Sequence, residues 1–530
     1  MSSVTAAEAT IRTELHFGNR LLRCYASRPA NLTEMFEQAF ECHPGADAVS
    51  DEQRRLDYAG LQRESSAAAA GLARLGLRPG DRIVMLIGNC VEFAVLAVAT
   101  WRLGAIVVPL NPRNVRDEVQ FVLEQCGARA IVFEPALADR APAAGSTADC
   151  TIRIELGAGA WQELLGGAGR GATSEAQPPA AHPSAEEDVA VLLYTSGTTG
   201  RPKGAMLTHL NLVHSVMHFR AAMKLQPGER SLLAVPISHV TGLVAIFLTM
   251  VGLGGATIMI REFKAPIFLE RMVRERASHT LVVPAIYNLL LRDPQFEKAD
   301  LSSWRIGGFG GAPMPEPTIE ALARAWPSLT LMNGYGATET TSPTTVMPPG
   351  EQAAHLDSVG KVVPCGDVKV MDDDGREVAP GESGELWIGG PMVVPGYWDN
   401  PEASAREFAA GYWKSGDIGS IDAAGYVRVF DRKKDMINRA GYKVYSAEVE
   451  SALLAHPAVL EAAVIGQPDP VLGERTHAHV VLQSDADVDA LRAHCSQRLA
   501  DYKIPDFFTF HREPLPRNPN GKVLKRLLRN

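Results

Sequence analysis

Short apolar runs alternate with longer segments of helical periodicity through most of the first 350 residues. Four of the runs have the unbroken apolar character of buried strands: residues 82–87, 105–109, 130–133 and 189–193. Segments whose apolar residues recur at helical spacing lie between or after these runs, at residues 92–102, 115–126 and 211–220. Because a strand, a helix and a second strand form a parallel crossover unit, this pattern predicts an α/β fold with stacked, mixed or parallel sheets. Residues 134–187 are rich in Ala, Gly, Pro and Ser and predict a surface excursion.

The pattern changes after about residue 364. Short strands and tight turns at residues 368–371, 384–388 and 425–430 predict a mostly β subdomain over about 364–430. A compact series follows: a helix at 446–456, strands at 462–465 and 477–483, a helix at 488–500 and a strand at 507–510. We therefore predict an N-terminal domain of residues 1–430 and a small, mobile α+β C-terminal domain of residues 431–530, with the boundary at Asp431.

One stretch has the length of a membrane span. Residues 231–260 contain no Asp, Glu, Lys or Arg. The stretch is interrupted by Pro236 and by glycines at 242, 252, 254 and 255, and a helix broken so often would leave backbone groups unpaired in lipid. We predict a loop, a buried helix, a turn and a buried strand here, and no membrane span.

Composition and charge exclude several classes of protein. The 530 residues are 46% hydrophobic and 21% charged, which is ordinary globular usage. The formal net charge of −9 argues against a nucleic-acid partner. Seven cysteines without a CxxC pair argue against a disulfide framework or a cysteine zinc site, and the first 30 residues contain no apolar signal segment. These features predict a cytoplasmic protein. A homodimer is left open.

Residues 194–204 carry the sharpest local signal, Tyr-Thr-Ser-Gly-Thr-Thr-Gly-Arg-Pro-Lys-Gly. The string lies between the predicted strand at 189–193 and the predicted helix at 211–220. Its glycines let backbone amides approach phosphate oxygens closely, its hydroxyl groups add donors, and Lys203 adds a positive charge. The string is not a Walker A loop, because no Gly-Lys pair is followed by Ser or Thr. We predict a phosphate-binding loop between a strand and a helix.

This string resembles the signature loop of the adenylate-forming superfamily, which includes acyl-CoA synthetases, peptide-synthetase adenylation domains and beetle luciferases. Further strings resemble that family's motifs in the family's order: Tyr-Gly-Ala-Thr-Glu-Thr at 335–340, Tyr-Trp-Lys-Ser-Gly-Asp at 412–417, Asp-Arg-Lys-Lys-Asp at 431–435 with Gly-Tyr-Lys-Val at 441–444, and Asn-Pro-Asn-Gly-Lys at 518–522. The resemblance covers nearly the whole chain. It implies a large domain of stacked sheets followed by a mobile C-terminal domain.

The resemblance also implies the first half of a reaction, in which a carboxylate attacks the α-phosphate of ATP and forms an acyl-adenylate and pyrophosphate. By motif position Glu339 would bind Mg²⁺, Thr338 would touch the α-phosphate, and Lys522 would bond to both the carboxylate and the α-phosphate. The implied ATP-binding residues are Thr195, Ser196, Gly197, Thr198, Thr199, Gly200, Lys203, Gly311, Ala312, Pro313, Asn333, Gly334, Tyr335, Gly336, Asp417 and Arg432. Among them, Asp417 and Arg432 would contact the ribose, and Tyr335 the adenine.

A second half-reaction is implied by the motifs near the domain boundary. Asp431 matches the family's hinge, the residue whose backbone torsions change as the small domain swings between two poses. One pose would deliver Lys522. The other would deliver Gly441, Tyr442 and Lys443, which would line a tunnel for the pantetheine of coenzyme A.

The acid is limited by the segment around His239. In acyl-CoA ligases that this chain resembles, a His or aromatic gate occupies this place, whereas amino-acid adenylation domains carry an Asp there. An α-amino acid is disfavoured, because a buried ammonium without a carboxylate would cost several kcal/mol. We predict an acyl pocket that includes Val240, Thr241, Gly242 and Gly310, and an apolar monocarboxylic acid, fatty or aromatic, as substrate.

The resulting prediction is an ATP-dependent, AMP-forming acyl-CoA synthetase that uses ATP, Mg²⁺ and coenzyme A. An acyl-AMP ligase that passes its acyl group to the phosphopantetheine of a carrier protein would share every motif. A luciferase-like oxygenase is a weaker alternative. A non-catalytic nucleotide-binding module is disfavoured, because Lys203, Glu339, Asp417 and Lys522 are all present.

Overall fold

The computed structural model describes residues 10–166, 180–195, 201–517 and 523–529. Six of the predicted site residues lie outside these ranges: Ser196, Gly197, Thr198, Thr199, Gly200 and Lys522. Within the described ranges the strands form four sheets. The smallest is a hairpin of Ile11–His16 and Arg20–Tyr25.

The first large sheet has six strands in the described chain, and most pairs of adjacent strands within it are parallel. Their spatial order is Lys203–Thr208, Val189–Thr195, Ile106–Leu110, Arg82–Leu86, Ala130–Phe133 and Ile152–Glu155. The apolar runs identified in the sequence are its central strands, because both faces of a parallel sheet are buried under helices. The α/β prediction is confirmed for this part of the chain.

The second large sheet continues from a parallel centre into an antiparallel extension, and has fourteen strands in the described residues. The parallel part contains Asp47–Ser50, Ala256–Met259, Arg230–Leu233, His279–Val282, Ile306–Gly310 and Thr330–Tyr335, with Arg55–Asp57 at its antiparallel edge. The antiparallel part contains Thr345–Val346, Gly360–Val362, Tyr426–Arg432, Tyr412–Ile421, Gly384–Gly389, Asp367–Met371 and Phe408–Ala409. This extension is where the sequence predicts a β subdomain.

A five-stranded sheet belongs to the C-terminal part of the described chain. Its strands are Ile437–Arg439, Tyr442–Val444, Val459–Asp469, Gly473–Leu482 and Phe507–His511. Helices Ser446–Leu454 and Val488–Ser496 pack on it around a separate apolar cluster that includes Val449, Leu453 and Leu491. The C-terminal part therefore has a core of its own, and the boundary at Asp431 stays a prediction.

The remaining helices cover the two large sheets. They are Leu32–Cys42, Tyr58–Arg74, Val91–Arg102, Arg116–Gln125, Ala158–Leu164, His209–Ala222, Thr249–Val251, Ala265–Arg274, Pro284–Leu291, Glu316–Ala325 and Pro401–Glu407. Val91–Arg102 is apolar on nearly all sides and almost fully buried, as expected of a helix packed between two sheets. One continuous apolar cluster joins this helix to both large sheets, so the sheets are stacked as predicted.

Two predictions of local structure are wrong. Lys203 lies on the strand Lys203–Thr208, which pairs antiparallel with Val189–Thr195, and the next helix begins only at His209. In the sequence the predicted phosphate-binding string is therefore followed by a strand that pairs with the one before it, and not directly by a helix. The predicted surface excursion at 134–187 also contributes to the core, because Trp161 and Leu164 are buried in the main apolar cluster. Two apolar side chains one helical turn apart suffice to dock a short helix.

The uncharged segment at 231–260 has the predicted composite structure. It contains the end of the strand Arg230–Leu233, the π-helix Thr241–Leu248 and the strand Ala256–Met259, all of them buried apart from Arg230 and Thr241. No helix in the described residues is both long and apolar enough to cross a membrane.

Candidate active site

A cavity of about 1350 Å³ opens between the two large sheets and the C-terminal segment. Leu110 and Thr195 reach it from the carboxyl ends of strands in the first sheet, and Gly310 and Gly334 reach it from strands of the second. The carboxyl ends of parallel strands are where α/β proteins place ligands, because loops and helix termini converge there. Several of the predicted nucleotide and acyl residues, among them Thr195, Gly334 and Gly310, therefore lie around one cavity.

Lys203 is held in a buried network of charged and hydroxyl groups. Its ammonium lies 2.7 and 2.6 Å from the two carboxylate oxygens of Glu407 and 4.2 Å from the ring centroid of Tyr397. The Tyr397 hydroxyl lies 2.6 Å from Glu407 Oε2 and 2.9 Å from Glu339 Oε1. Only 7% of the Lys203 side chain is exposed, so Glu407 is the partner that offsets its burial away from bulk water.

The two carboxylates of this network differ in their surroundings. Burial raises the pKa of Glu339, although Tyr397 and Lys203 oppose that rise. Burial also acts to raise the pKa of Glu407, but its hydrogen bonds with Lys203 and Tyr397 outweigh burial and lower the pKa below its ordinary value. Glu407 is therefore the ionised partner of Lys203.

Oxygen ligands suited to a divalent cation lie beside this network. Glu339 accepts a hydrogen bond from the Thr195 hydroxyl at 3.4 Å, and both residues line the cavity. Mg²⁺ prefers carboxylate, hydroxyl and water oxygens, so the donor set around Glu339 fits the predicted magnesium site. Thr338 also lines the cavity, next to Glu339 in the short helix Thr338–Thr340.

Asp417 and Arg432 face each other across adjacent strands. They are paired in the register of Tyr412–Ile421 and Tyr426–Arg432, and Arg432 Nε lies 3.1 Å from Asp417 Oδ1. The Tyr335 hydroxyl donates to Asp417 Oδ2 at 2.6 Å. Burial first, and then the charge of Asp417, raises the pKa of Tyr335, so the phenol keeps its proton. Each carboxylate oxygen of Asp417 retains a lone pair for a further hydrogen bond. Arg432 is among the described residues that line the cavity, whereas Asp417 and Tyr335 are not.

The predicted adenine wall is only partly assembled around the cavity. Gly311, Gly334 and Gly336 line it, and Gly311 has a φ of +75°, which closes the turn after Ile306–Gly310. Ala312 and Pro313 are exposed in the same turn. The Asn333 side chain is occupied elsewhere, since its amide donates to the Ser358 carbonyl at 3.4 Å.

Gly310→Ala is expected to destabilise the site locally. A Cβ built at Gly310 would collide with the carbonyl oxygen of Gly334 on the neighbouring strand. We expect a loss of about 1–3 kcal/mol in the free energy of unfolding, as for other overpacked positions, and weaker ATP binding. Urea unfolding and titration with ATP measure both effects. Gly45→Ala is the control, because no described atom lies within 4 Å of a Cβ built there; equal stability of the two variants would contradict the close approach of the strands.

His239, the predicted gate residue of the acyl pocket, lines the cavity. Its Nδ1 accepts the Thr241 backbone N–H at 3.3 Å, so the proton of the neutral ring is on Nε2. Burial lowers the pKa of His239, which favours this neutral form. Val240, Thr241 and Gly310 line the cavity with it, whereas Gly242 packs closely against the backbone of Pro236.

Residues near the C-terminus also line the cavity, and we call residues 523–529 the C-terminal segment. Arg517, Val523 and Lys525 line the cavity, and they lie on either side of Lys522 in the sequence. The predicted coenzyme A residues are placed differently. Gly441 lies in the turn between Ile437–Arg439 and Tyr442–Val444, and Tyr442 and Lys443 begin the second of these strands. The Tyr442 side chain is 59% exposed, and its ring lies 4.8 Å from that of Tyr502. None of Gly441, Tyr442 and Lys443 is among the described residues that line the cavity.

Comparison with known proteins identifies the family. The model of the AMP-binding enzyme family matches residues 36–398, and that of the AMP-binding enzyme C-terminal domain matches residues 448–522. The chain belongs to the AMP-binding enzyme family. The resemblance drawn from the sequence motifs is thereby confirmed.

Three relatives within this family are similar over nearly their whole length. A feruloyl-CoA synthase of an Amycolatopsis species is 36% identical over 91% of this chain and 95% of its own. A long-chain-fatty-acid–CoA ligase of Mycobacterium tuberculosis is 34% identical over 90% of this chain and 93% of its own. The o-succinylbenzoate-CoA synthetase of Bacillus subtilis, solved with its acyl-adenylate, is 30% identical and superimposes with a TM-score of 0.83 over 94% of this chain and 98% of its own. The chain is accordingly an AMP-forming acyl-CoA synthetase, an acid–thiol ligase.

Four residues around the candidate site were not recognised in the sequence. Tyr397 and Glu407 belong to the Lys203 network, and Phe219 and Leu281 line the cavity near His239. Tyr397 follows Gly396 in the region of the predicted β subdomain, which is a weak signal for a site residue. Glu407 ends the helix Pro401–Glu407 and looks like an ordinary solvated carboxylate in the sequence.

Proposed function

We propose that this acyl-CoA synthetase activates an apolar monocarboxylic acid, fatty or aromatic, and transfers its acyl group to coenzyme A. The observation that carries the choice of acid is the wall near His239. There the cavity is lined by Val240 and by Phe219 and Leu281, none of which carries a charge; the helix of Phe219 and the strand of Leu281 both contact the π-helix that follows His239. Gly310 lines the cavity from the strand next to that of Leu281. A second carboxylate or an ammonium on the acid would lose its hydration in this region without a partner, at a cost of several kcal/mol.

The described residues support distinct roles in acyl-adenylate formation. Mg²⁺ bound at Glu339 would supply neutralisation of charge at the phosphate oxygens. Lys203 would hold the terminal phosphates, and Thr338 would contact the α-phosphate. Asp417 would accept hydrogen bonds from the ribose hydroxyls, with Arg432 beside it. Lys522 would bridge the attacking carboxylate and the α-phosphate, where negative charge from two anions accumulates.

The second half-reaction requires a different arrangement of the C-terminal part. The C-terminal part would rotate about Asp431, and Gly441, Tyr442 and Lys443 would then take the place of the C-terminal segment at the cavity. The thiolate of coenzyme A would then attack the acyl carbon and release AMP. Support comes from the separate core of the C-terminal sheet, which lets that sheet move as a unit.

Pyrophosphate release tests the proposed activity. The enzyme is incubated with ATP and Mg²⁺ and with a panel of acids: long-chain fatty, medium-chain fatty, hydroxycinnamic, benzoic, dicarboxylic and α-amino. We expect release with one of the monocarboxylic classes, and AMP and acyl-CoA when coenzyme A is added. Preference for a dicarboxylic or amino acid would contradict the proposed substrate class. Acyl transfer to a holo-carrier protein but not to coenzyme A would favour the carrier-dependent alternative.

A further inference from the structure

A second charged cluster joins the C-terminal segment to the C-terminal sheet, and it consists of Lys525, Glu450 and Ser446. The ammonium of Lys525 is 2.7 Å from Glu450 Oε1 and 2.7 Å from the Ser446 hydroxyl. The Lys525 and Glu450 side chains are only 18% and 19% exposed. A buried ion pair with this geometry holds its two chain segments in one relative position, because separating the charges would leave each one unpaired away from bulk water.

Both partners of Lys525 belong to one helix that is fixed on the C-terminal sheet. Ser446 and Glu450 are four residues apart on Ser446–Leu454 and therefore lie on the same helix face. Glu450 Oε1 also accepts the backbone N–H of Val464 at 2.8 Å, which ties the carboxylate to the strand Val459–Asp469. Lys525 consequently docks on a rigid surface.

The cluster also reaches the predicted hinge. The backbone N–H of Ser446 donates to Asp431 Oδ2, and the backbone N–H of Arg432 donates to Asp431 Oδ1 at 2.7 Å. Asp431 is 7% exposed. Burial raises the pKa of Asp431, and the nearby charge of Lys525 opposes that rise. The Lys525 ammonium therefore contacts Ser446 and Glu450 of one helix and lies near the carboxylate of Asp431, the predicted hinge residue.

Lys525 lies three residues after Lys522, in the short helix Lys525–Leu528, and it lines the cavity. We propose that Lys525 is a positioning residue for Lys522, and that its bonds to Glu450 and Ser446 hold the C-terminal segment on the C-terminal sheet, so that Lys522 reaches the substrates when that sheet takes up the pose for acyl-adenylate formation. This inference rests on the proposed function, in which Lys522 acts only in the first half-reaction. A residue that positions Lys522 should therefore affect that half-reaction alone.

The fold offers an independent anchor for the same segment. Leu528 and Leu515 pack with Ala463, Ile465 and Val481 in a small apolar cluster. Loss of Lys525 therefore leaves the segment docked through Leu528 but releases its end nearest Lys522. The C-terminal sheet should remain folded in the variant.

The test compares the two half-reactions in full-length Lys525→Met. We expect the kcat for pyrophosphate release to fall at least tenfold, while conversion of supplied acyl-adenylate and coenzyme A to acyl-CoA stays within twofold of wild type. Lys525→Arg should restore most of the first rate, because arginine also pairs with a carboxylate. Arg512→Met, which removes an exposed cation from the same part of the chain, is the matched control and should change neither rate.

Hydrogen exchange gives a second readout that does not depend on activity. In Lys525→Met, backbone amides of residues 523–529 should exchange faster than in wild type, while the strands of the C-terminal sheet keep their protection. Equal losses in both half-reactions, or unchanged exchange at 523–529, would overturn the positioning role. If wild type releases no pyrophosphate with any acid, the proposed function fails, and the exchange result alone still decides whether Lys525 holds the segment.

Discussion

Lys522→Ala is expected to lower the rate of acyl-adenylate formation by about 10³-fold, the upper range for removal of one electrostatic donor from an active site. Two anions must approach each other in this step, and Lys522 is proposed to offset their charges at the α-phosphate. Conversion of supplied acyl-adenylate to acyl-CoA should change by less than about threefold, because the acid no longer carries its carboxylate charge and no second anion has to approach the α-phosphate. Single-turnover measurement of each half-reaction gives both numbers.

Comparing Lys522→Ala with Lys525→Met separates the effect of the charge of Lys522 from the effect of its position. Lys522→Ala removes the proposed donor itself, so its effect should exceed that of Lys525→Met on the same step. Lys522→Arg keeps a positive charge but changes its shape, and it should recover only part of the rate. Acyl-adenylate formation by Lys522→Ala at the wild-type rate would remove this lysine from the mechanism.

Glu339→Gln is expected to lower acyl-adenylate formation by about 10²–10³-fold and to raise the Mg²⁺ concentration needed for half-maximal rate, since a neutral amide is a poorer ligand for a hard cation than a carboxylate. Glu339 is 7% exposed and accepts from Tyr397, which an amide oxygen can also do, so the variant should fold. Magnesium titrations of pyrophosphate release and of nucleotide binding, the latter with a nonhydrolysable ATP analogue, measure the effect.

Asp117→Asn is the matched control for the charge change at Glu339. Asp117 also lines the cavity but is exposed at the first turn of Arg116–Gln125. The control variant should keep the wild-type magnesium dependence. A magnesium dependence of Glu339→Gln that equals wild type would remove Glu339 as the ligand and leave Tyr397 and Glu407 to be tested in its place.

Much of the site was predictable, because the chemistry depends on short strings. Glycines and hydroxyls next to Lys203, and the Thr338–Glu339 pair, carry their signal within a few residues. The apolar strands were predictable for a similar reason, since burial on both faces removes polar residues from a continuous run. The end of Ala130–Phe133 agrees to the residue with the sequence pattern.

The contacts between these strings were not predictable from any one of them. Lys203 and Glu407 are 204 residues apart, and their pairing depends on the stacking of two sheets and on the position of one short helix. The same holds for the hairpin that carries Lys203, because its register is set by the neighbouring strand and not by the helix that follows.

The amino-acid sequence by itself determined which backbone segments and side chains can do chemistry here: the α/β alternation, the family motifs, the uncharged segment around His239 and the candidate residues of both half-reactions. Only the tertiary structure decided which of them meet. It paired Glu407 with Lys203 and Lys525 with Glu450. It also placed the Tyr397 hydroxyl between the carboxylates of Glu339 and Glu407. The physical reason is that periodicity and turn chemistry are local properties of the chain, whereas a buried charge finds its partner through packing between distant elements.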